Sequence, residues 1–466
     1  MIRRTLMRRA YNKGHWERAR FHAFKIVDRP KEQEFARSVL IRSYWNEGDI
    51  DEVIRLNSLW GNAFEKLSNM ASYQFNQQMP NKDKTHHPRI LALHESQPTP
   101  DKSDQEWNSQ DMTQNFLQEG NRLWMVHPHG WTYWDMPDDF ALAATHSDLL
   151  RLTAEILLYP WETSTRSSLE GTRQLGAIPS LAFSAGTDST AAALVMPEHT
   201  ILGYHRRNFE SILDHRNADR LLAFMANEKA KTIVDISSNH ELIRTYHFKQ
   251  IGFSSDFACA THLILLADHY DIGAIAFGMP LDNTWLVKGR KFRQFQETHY
   301  FQYWKERFLK AGLDLLLPIA GVSEAGAMEI CQQSDLIPHL NSCLRGDGVS
   351  GCGRCWKCFH KNGPLGRDYD LYGREIQIFL NREPLPTAYH VLWAIKLMNL
   401  EEKVPQHLQK LLENDFSWWT SVYPPAKEII PLEWREQIWE KTLTYLDMMT
   451  EPYPVEGMNL YAESLE

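Results

Sequence analysis

The centre of the chain alternates between short apolar runs and helical patterns. The run Leu181–Phe183 predicts the end of a buried strand, and similar apolar runs follow it. They are His199–Tyr204, Lys231–Ile236 and Ile272–Gly278, and the helical run Ala258–Tyr270 precedes the last of them. Strands that alternate with helices indicate an α/β domain with a parallel sheet. We place this domain at residues 171–370.

The first 95 residues carry a helical pattern with an internal repeat. Tyr11–Ala19 recurs loosely as Trp45–Val53, and Gly14 and Gly48 lie 34 residues apart. This spacing is the period of tetratricopeptide-type helical hairpins. Two unrelated helix pairs with a chance period are the alternative. We expect the alanine and the valine that end the two copies to face a neighbouring helix. Because such hairpins commonly bind protein segments, the pattern also suggests a protein partner.

A polar linker and an aromatic hairpin are predicted between these helices and the α/β domain, over residues 96–170. Leu123–Asp135 alternates between apolar and polar positions, with a glycine at the expected turn. His127, His129 and Asp135 permit a metal site there. Histidines in turns are far commoner than such sites, so we favour packing over metal binding.

Length and charge limit the function classes. The chain has 466 residues, enough for two or three domains, and residues 371–466 are predicted to be helical with their tryptophans in the core. A net charge of −9 argues against a nucleic-acid surface. No apolar stretch approaches the ~18 residues that span a bilayer, so we expect no membrane partner. The basic start of the chain predicts a first helix rather than a targeting segment, and we expect a cytoplasmic location.

Four of the six cysteines fall within sixteen residues. They are Cys343, Cys352, Cys355 and Cys358. Overlapping C-x2-C turns present thiolates to one tetrahedral ion, so the spacing predicts a structural Zn²⁺ site without an open position for water. Disulfides or free thiols are the alternatives. Cys259 and Cys331 stand alone in apolar surroundings, which favours a reducing compartment.

A small-residue loop follows the first predicted strand. It runs Ser184-Ala185-Gly186-Thr187-Asp188-Ser189-Thr190 and leads into an alanine-rich helix. A tight loop between a strand and a helix N-terminus points unpaired N–H groups and the helix dipole at an anion. Asp188 suits such a site if Mg²⁺ accompanies a phosphate. An ordinary capped turn is the alternative.

The two motifs together carry a resemblance to a known superfamily. S-A-G-T-D-S-T resembles the S-G-G-x-D-S-T signature of the PP-loop ATP pyrophosphatases. The cysteine run, followed by Phe359–Gly363, resembles the zinc motif of their 7-cyano-7-deazaguanine synthase branch, which acts in queuosine biosynthesis. The resemblance covers roughly residues 175–370. It implies a doubly wound α/β domain of the adenine nucleotide alpha hydrolase type with a zinc element, to which the helical regions predicted at both ends are additions.

The resemblance also implies roles for individual residues. Asp188 would hold Mg²⁺ and act with Ser189 in catalysis, while Gly203 and Tyr204 would lie near the adenosine. The remaining loop residues would hold the pyrophosphate end of ATP: Ser184, Ala185, Gly186, Thr187 and Thr190. Relatives are commonly dimers, so a homodimer is expected.

One departure from the family pattern concerns charge. Glu324 stands near the position of a family lysine, where a carboxylate would repel phosphate unless it binds metal or points away. Lys288 and Arg290, after the fourth strand, offer replacement cations, and a solvated charged face is the alternative. Asp282 and Asn283 precede them at the predicted carboxyl edge, where ligands of open sheets bind, and are candidates for substrate recognition.

Three functions follow as expectations. The first is an ATP-dependent, AMP-forming carbon–nitrogen ligase that activates a carboxylate or amide oxygen of a small-molecule or protein-borne acceptor. The second is a PP-loop amidotransferase acting on a glycan precursor. The third is a non-catalytic nucleotide-binding scaffold, which Glu324 favours and the Asp188-Ser189 pair disfavours.

Overall fold

The computed structural model describes residues 2–47, 49–61, 63–64, 88–102, 104–166, 169–211 and 213–460. The chain divides into two compact units. The first comprises Met1–Asp83, Glu297–Tyr300 and Asn459–Glu466, and the second comprises Lys84–Gln296 and Phe301–Met458.

The first unit contains four described helices, Ile2–Asn12, Trp16–Phe24, Gln33–Glu47 and Ile50–Leu59. Ala19 packs in an apolar cluster with Leu40, and Val53 packs with Ile41. Both residues are fully buried, as the repeat predicts. Gly48, the second glycine of the repeat, lies outside the described residues.

The second unit is built on an eight-stranded sheet. Its strands are β1 (Phe116–Glu119), β2 (Arg122–His127), β3 (Gly130–Asp135), β4 (Ile178–Ala182), β5 (Ile201–Arg207), β6 (Ile233–Ser238), β7 (Ile272–Phe277) and β10 (Asp314–Leu316), while β8 (Leu286–Val287) and β9 (Lys291–Phe292) form a separate hairpin. The spatial order is β1-β2-β3-β6-β5-β4-β7-β10. The five strands from β6 to β10 in this order are parallel, and β1 to β3 extend the β6 edge in antiparallel pairs.

Helices pack on the sheet from both sides. In this unit they are Pro88–Glu95, Ser147–Leu158, Thr187–Val195, Arg216–Asn227, Ile243–Tyr246, Thr261–Leu265, His299–Lys310, Glu324–Gln332, Arg374–Leu380, Ala388–Leu397 and Leu432–Leu443. Ala276 of β7 joins a core cluster with Ala192 and Ile330, whereas the ring of the next residue, Phe277, lies 4.9 Å from that of Phe257. Successive strand residues point to opposite faces, so both faces are covered.

The predicted α/β class with a parallel sheet is confirmed, with local differences. The helix predicted over Ala258–Tyr270 ends at Leu265 and begins with a 3-10 turn. Residues 263–267 are all apolar and completely buried, so the apolar pattern extends past the end of the helix at Leu265. No helix in the described part of the chain is long and apolar enough to cross a membrane.

The aromatic hairpin is present, but its histidines do not form a metal site. His127 pairs directly with Gly130, so the turn consists of residues 128 and 129. Asp135 is ion-paired with Arg122 at 2.6 Å. Among the described residues, the groups close enough to hold an ion lie elsewhere, as shown below.

Candidate functional site

Three carboxylates meet at one edge of the sheet because their strands are neighbours. Asp188, Asp282 and Glu324 follow β4, β7 and β10, which lie side by side and parallel. In chain order the five parallel strands are arranged 3-2-1-4-5, so the order reverses between β4 and β7. Ligands of open α/β sheets bind at the carboxyl ends of the strands at such a switch point. The fold therefore places the predicted loop where a ligand is expected.

The loop after β4 is held by its own hydroxyl groups. Ser189 Oγ accepts a hydrogen bond from Ser184 N at 3.2 Å and donates to the Gly186 carbonyl oxygen at 3.1 Å. The helix begins at Thr187, with Gly186 as its N-cap, and Thr190 N donates to Gly186 O at 2.9 Å. Ser184 is exposed at the mouth of the loop. The buried Thr190 hydroxyl has no hydrogen-bond partner in the described structure.

Ala185 adopts the backbone conformation that glycine prefers. Its φ is +55°, in the left-handed region, where a side chain costs free energy. The backbone approaches β7 closely at the other side of the loop, since a Cβ on Gly278 would lie 2.9 Å from Ser189 N. Ala185 thus adopts a left-handed backbone that glycine adopts at lower cost.

This conformation gives a first testable prediction. Ala185→Gly is expected to leave the free energy of unfolding unchanged or to raise it by up to about 1 kcal/mol, because it relieves the left-handed strain. Ala185→Val is expected to lower it by about 2 kcal/mol, since a β-branched side chain tolerates positive φ poorly. Chemical denaturation measures both. Ala192→Val, a buried helical site without this strain, controls for crowding, and an equal loss there would contradict the prediction.

The loop is also tied to the cysteine-rich element. Ser342 Oγ accepts a hydrogen bond from Thr187 N at 3.1 Å and lies 2.8 Å from Thr187 Oγ1. Ser342 directly precedes Cys343. A change in the cysteine element is therefore transmitted to the first turn of the loop helix.

A lysine that the sequence analysis did not single out is the cation beside Asp188. Lys361 Nζ donates to both oxygens of Asp188, at 2.6 and 2.8 Å, and lies 3.2 Å from Glu324 Oε2. Burial acts against the charged ammonium, but the charges of Asp188 and Glu324 outweigh it and raise the pKa of Lys361. The sequence predicts that Glu324 repels phosphate unless it binds metal or points away. In the structure this carboxylate is paired with the ammonium of Lys361, which offsets its charge.

Asp282 joins the same cluster from the end of β7. It is 1% exposed, and its Oδ2 accepts a hydrogen bond from Glu324 N at 2.9 Å. Its Oδ1 has no hydrogen-bond partner among the described residues. Burial and then the charge of Glu324 raise the pKa of Asp282 well above its ordinary value. Asp282 therefore fixes the start of the Glu324 helix and carries an unsatisfied oxygen.

Two buried histidines complete the cluster around Glu324. His360 Nδ1 and His390 Nε2 each lie 3.6 Å from Glu324 Oε2. Both rings are stacked on tryptophans, His360 on Trp356 and His390 on Trp393. Burial lowers the pKa of His390 to about 3 and that of His360 well below its ordinary value, so both are neutral imidazoles.

The four predicted cysteines form one cluster of the size that Zn²⁺ requires. All four sulfurs lie within 4.8 Å of one another. The Sγ–Sγ distance is 3.9 Å for Cys343–Cys355 and for Cys352–Cys358, and 3.6 Å for Cys355–Cys358. Zn–S bonds of ~2.3 Å in a tetrahedron place the sulfurs about 3.8 Å apart. The cluster thus fits a tetrahedral thiolate site.

Hydrogen-bond donors surround the sulfurs, and hydrogen bonds among the thiols lower the pKa of one of them while they raise the pKa of Cys343 and of Cys358. Cys343 Sγ accepts hydrogen bonds from Cys352 N at 3.2 Å and Arg345 N at 3.3 Å. Hydrogen bonds from Cys343 and Cys358 hold the pKa of the Cys355 thiol far below its usual range. Gly351 passes so close that a Cβ there would lie 3.0 Å from Cys358 Sγ. Such donor groups orient and stabilise metal-bound thiolates.

The other predicted site residues lie around this core. Gly203 pairs with Ala182 at the end of β4, and a Cβ there would collide with Leu263. Tyr204 is buried, and its hydroxyl lies 2.7 Å from His215 Nδ1. Asn283 is exposed next to Asp282.

The predicted replacement cations lie in a turn whose backbone contacts Asp282, since Gly289 N donates to the Asp282 carbonyl oxygen at 3.2 Å. Lys288 and Arg290 lie in the turn between β8 and β9. Gly289 between them packs against Thr387, and its carbonyl oxygen accepts a hydrogen bond from Tyr389 N at 3.2 Å. Lys361, rather than these two residues, makes the described contacts with Asp188.

A cavity of ≈ 520 Å³ opens at the carboxyl end of β5. It is bounded by the start of the helix Arg216–Asn227 and by the loop that follows Cys343, and Arg206, Arg216 and Arg345 line it. Each guanidinium is ion-paired, with Asp219, Asp214 and Glu375 respectively. The cavity therefore offers guanidinium donors that are already oriented by carboxylates.

Comparison with known proteins gives one match. A model for a family of unknown function, DUF6395, matches residues 303–453, a region that includes Glu324, the four cysteines and Lys361 but not the loop after β4. No curated protein and no solved structure matches the chain.

Proposed function

We propose that this chain is a PP-loop-type enzyme that cleaves ATP to AMP and pyrophosphate and activates an acceptor oxygen for attack by an amine. The observation that carries the proposal is the loop after β4, which combines the S-A-G-T-D-S-T signature with a position at the switch point of a 3-2-1-4-5 parallel sheet. Backbone N–H groups at the start of the helix and the hydroxyls of the loop suit phosphate oxygens.

Lys361 takes the part of the family lysine in this proposal. With no nucleotide bound, its ammonium is neutralised by Asp188 and Glu324. The γ- or β-phosphate of ATP would draw the ammonium away from Asp188, which is 29% exposed and thus accessible to a cation from outside. Mg²⁺ sites commonly use one or two carboxylates together with phosphate oxygens, and Asp188 fits that role. Bound there, Mg²⁺ would neutralise charge on the pyrophosphate end.

The reaction balances in two steps. An oxygen of the acceptor attacks the α-phosphorus of ATP, the bond from that phosphorus to the bridging oxygen breaks, and pyrophosphate leaves. The amine nitrogen then attacks the activated carbon, the carbon–oxygen bond to AMP breaks, and the nitrogen releases a proton. Lys361 and the loop N–H groups would stabilise the charge that develops on pyrophosphate in the first step.

The cavity beside β5 is the proposed acceptor site. Three guanidinium groups around ≈ 520 Å³ favour an acceptor that carries a carboxylate or another anion. The acceptor would then sit on the same sheet edge as the loop, because β5 is the neighbour of β4.

The role of Lys361 can be separated from its contribution to stability. Lys361→Gln leaves the buried Glu324 without its ion pair and is expected to cost about 3 kcal/mol of unfolding free energy. It should also weaken Mg-ATP binding at least ~10-fold, equivalent to ~1.4 kcal/mol. The double variant Lys361→Gln/Glu324→Gln is expected to recover much of the stability but not the affinity. Calorimetric titration and thermal melting of the same samples measure both quantities.

Lys231→Gln provides a matched control. Lys231 is 10% exposed, against 7% for Lys361, and pairs with Glu198 near the start of β6, at the opposite edge of the sheet. It should bind Mg-ATP like the parent protein. If the double variant regained parental affinity together with its stability, Lys361 would not be a phosphate ligand.

A further inference from the structure

The buried cluster of Glu324, His360 and His390 contains polar atoms that have no hydrogen-bond partner among the described residues. His360 and His390 are 0% exposed, and Glu324 is 6% exposed. Both nitrogens of His360 and Nδ1 of His390 have no hydrogen-bond partner in the described structure, and Oε2 of Glu324 has the ion pair with Lys361 at 3.2 Å. Buried polar atoms without partners cost about 1–3 kcal/mol each. Aromatic stacking holds the two rings but satisfies none of these atoms.

The geometry of the cluster is that of a metal site. One carboxylate oxygen of Glu324 and one ring nitrogen of each histidine lie within 4.8 Å of one another. His390 Nε2 lies 2.9 Å from the His360 carbonyl oxygen, which can only accept a hydrogen bond. Nε2, the nitrogen that lies 3.6 Å from Glu324 Oε2, therefore carries the proton in this state. Binding of an ion between the two side chains requires that proton to move to Nδ1, which has no hydrogen-bond partner in the described structure.

The charges of the neighbouring side chains also favour a bound cation. The ammonium of Lys361 contacts two carboxylates, those of Asp188 and Glu324. A third carboxylate, that of Asp282, accepts a hydrogen bond from Glu324 N. A cation beside Glu324 would offset the carboxylate charge that Lys361 alone does not neutralise. Lys361 is closer to Asp188, at 2.6 Å, than to Glu324, at 3.2 Å, so the ammonium and an ion would divide the two carboxylates between them.

We propose that Glu324, His360 and His390 form a second metal site, distinct from the four cysteines, that takes a divalent first-row transition ion. Two imidazole nitrogens and one carboxylate oxygen suit Zn²⁺ or Fe²⁺ rather than Mg²⁺, which prefers oxygen ligands. Asp282 accepts a hydrogen bond from Glu324 N through Oδ2, and its unsatisfied Oδ1 would support the ion or its bound water. The site is independent of ATP chemistry and is tested without nucleotide.

The metal content of the full-length protein tests this proposal. Apoprotein saturated with Zn²⁺ and freed of excess by gel filtration is expected to hold two ions per chain by mass spectrometry. His390→Gln should hold one ion, bound by the cysteines. His127→Gln, which changes a buried histidine of the β2–β3 hairpin, should still hold two. A parent protein that saturates at one ion per chain would overturn the proposal.

X-ray absorption at the zinc edge tests for the second metal site without any variant. With both sites filled, the average first shell should contain sulfur and nitrogen or oxygen neighbours in comparable numbers. A first shell of sulfur alone in saturated protein would show that only the cysteine site binds. Retention of two ions by His390→Gln would equally contradict the ligand set.

Discussion

Replacement of Cys355 by serine is expected to release the structural ion and to lower the free energy of unfolding by more than about 3 kcal/mol. Cys355 is 1% exposed, and its sulfur contacts those of Cys343 and Cys358. A serine hydroxyl is a poor zinc ligand, and the binding energy of a structural ion contributes directly to folding. Zinc content and chemical denaturation of the purified variant measure the two effects.

The loss is expected to reach the nucleotide loop as well. Ser342, next to the first cysteine ligand, holds Thr187 at the start of the loop helix. Amide hydrogen exchange of residues 184–190 should therefore accelerate in Cys355→Ser. Cys259→Ser, outside the cluster and partly exposed, is the control and should keep its zinc and its stability. Unchanged zinc content in Cys355→Ser would refute the four-cysteine site.

Asp188→Asn is expected to reduce Mg-ATP affinity by about 100-fold, equivalent to ~2.7 kcal/mol, while the protein stays folded. The neutral amide oxygen is a weaker ligand for Mg²⁺ than a carboxylate, and it leaves the ammonium of Lys361 with less opposing charge. Because Glu324 still pairs with Lys361, the free energy of unfolding should fall by only about 1–2 kcal/mol. Calorimetric titration with Mg-ATP and a thermal melt check the two parts.

A matched substitution at another aspartate separates the loss of charge at the ATP site from general destabilisation of the protein. Asp268 is 27% exposed, close to the 29% of Asp188, and pairs with Arg173 at 2.7 Å. Asp268→Asn should lower stability by a similar amount and leave Mg-ATP binding unchanged. Equal affinity of Asp188→Asn and the parent protein would remove Asp188 from the site.

Local motifs explain what the sequence predicted correctly. The cysteine spacing constrains four sulfurs to one short segment, and they do converge within 4.8 Å. The loop prediction depended on a strand end at Leu181–Phe183 and an alanine-rich helix after Thr190. The strand ends at Ala182, and the helix begins already at Thr187, inside the predicted loop. Ala185 takes the left-handed backbone that a glycine in its place would favour.

Contacts between distant segments explain what the sequence did not predict. Lys361 lies 173 residues from Asp188, and no local pattern distinguishes it from a surface lysine. His390 approaches Glu324 from a helix in the C-terminal region, which was assigned to packing alone. The strand order that joins Asp188, Asp282 and Glu324 is a property of the folded sheet. The Phe359–Gly363 segment of the zinc motif held the one available signal, since it contains both His360 and Lys361.

The proposed ATP site is best tested by titration of the full-length protein with Mg-ATP in a calorimeter, with AMP and pyrophosphate assayed in the same samples. We expect saturable binding of one Mg-ATP per chain, with AMP and pyrophosphate formed in equal amounts once an acceptor and an amine are supplied. Absence of binding at millimolar Mg-ATP to zinc-loaded, folded protein would contradict the proposed site.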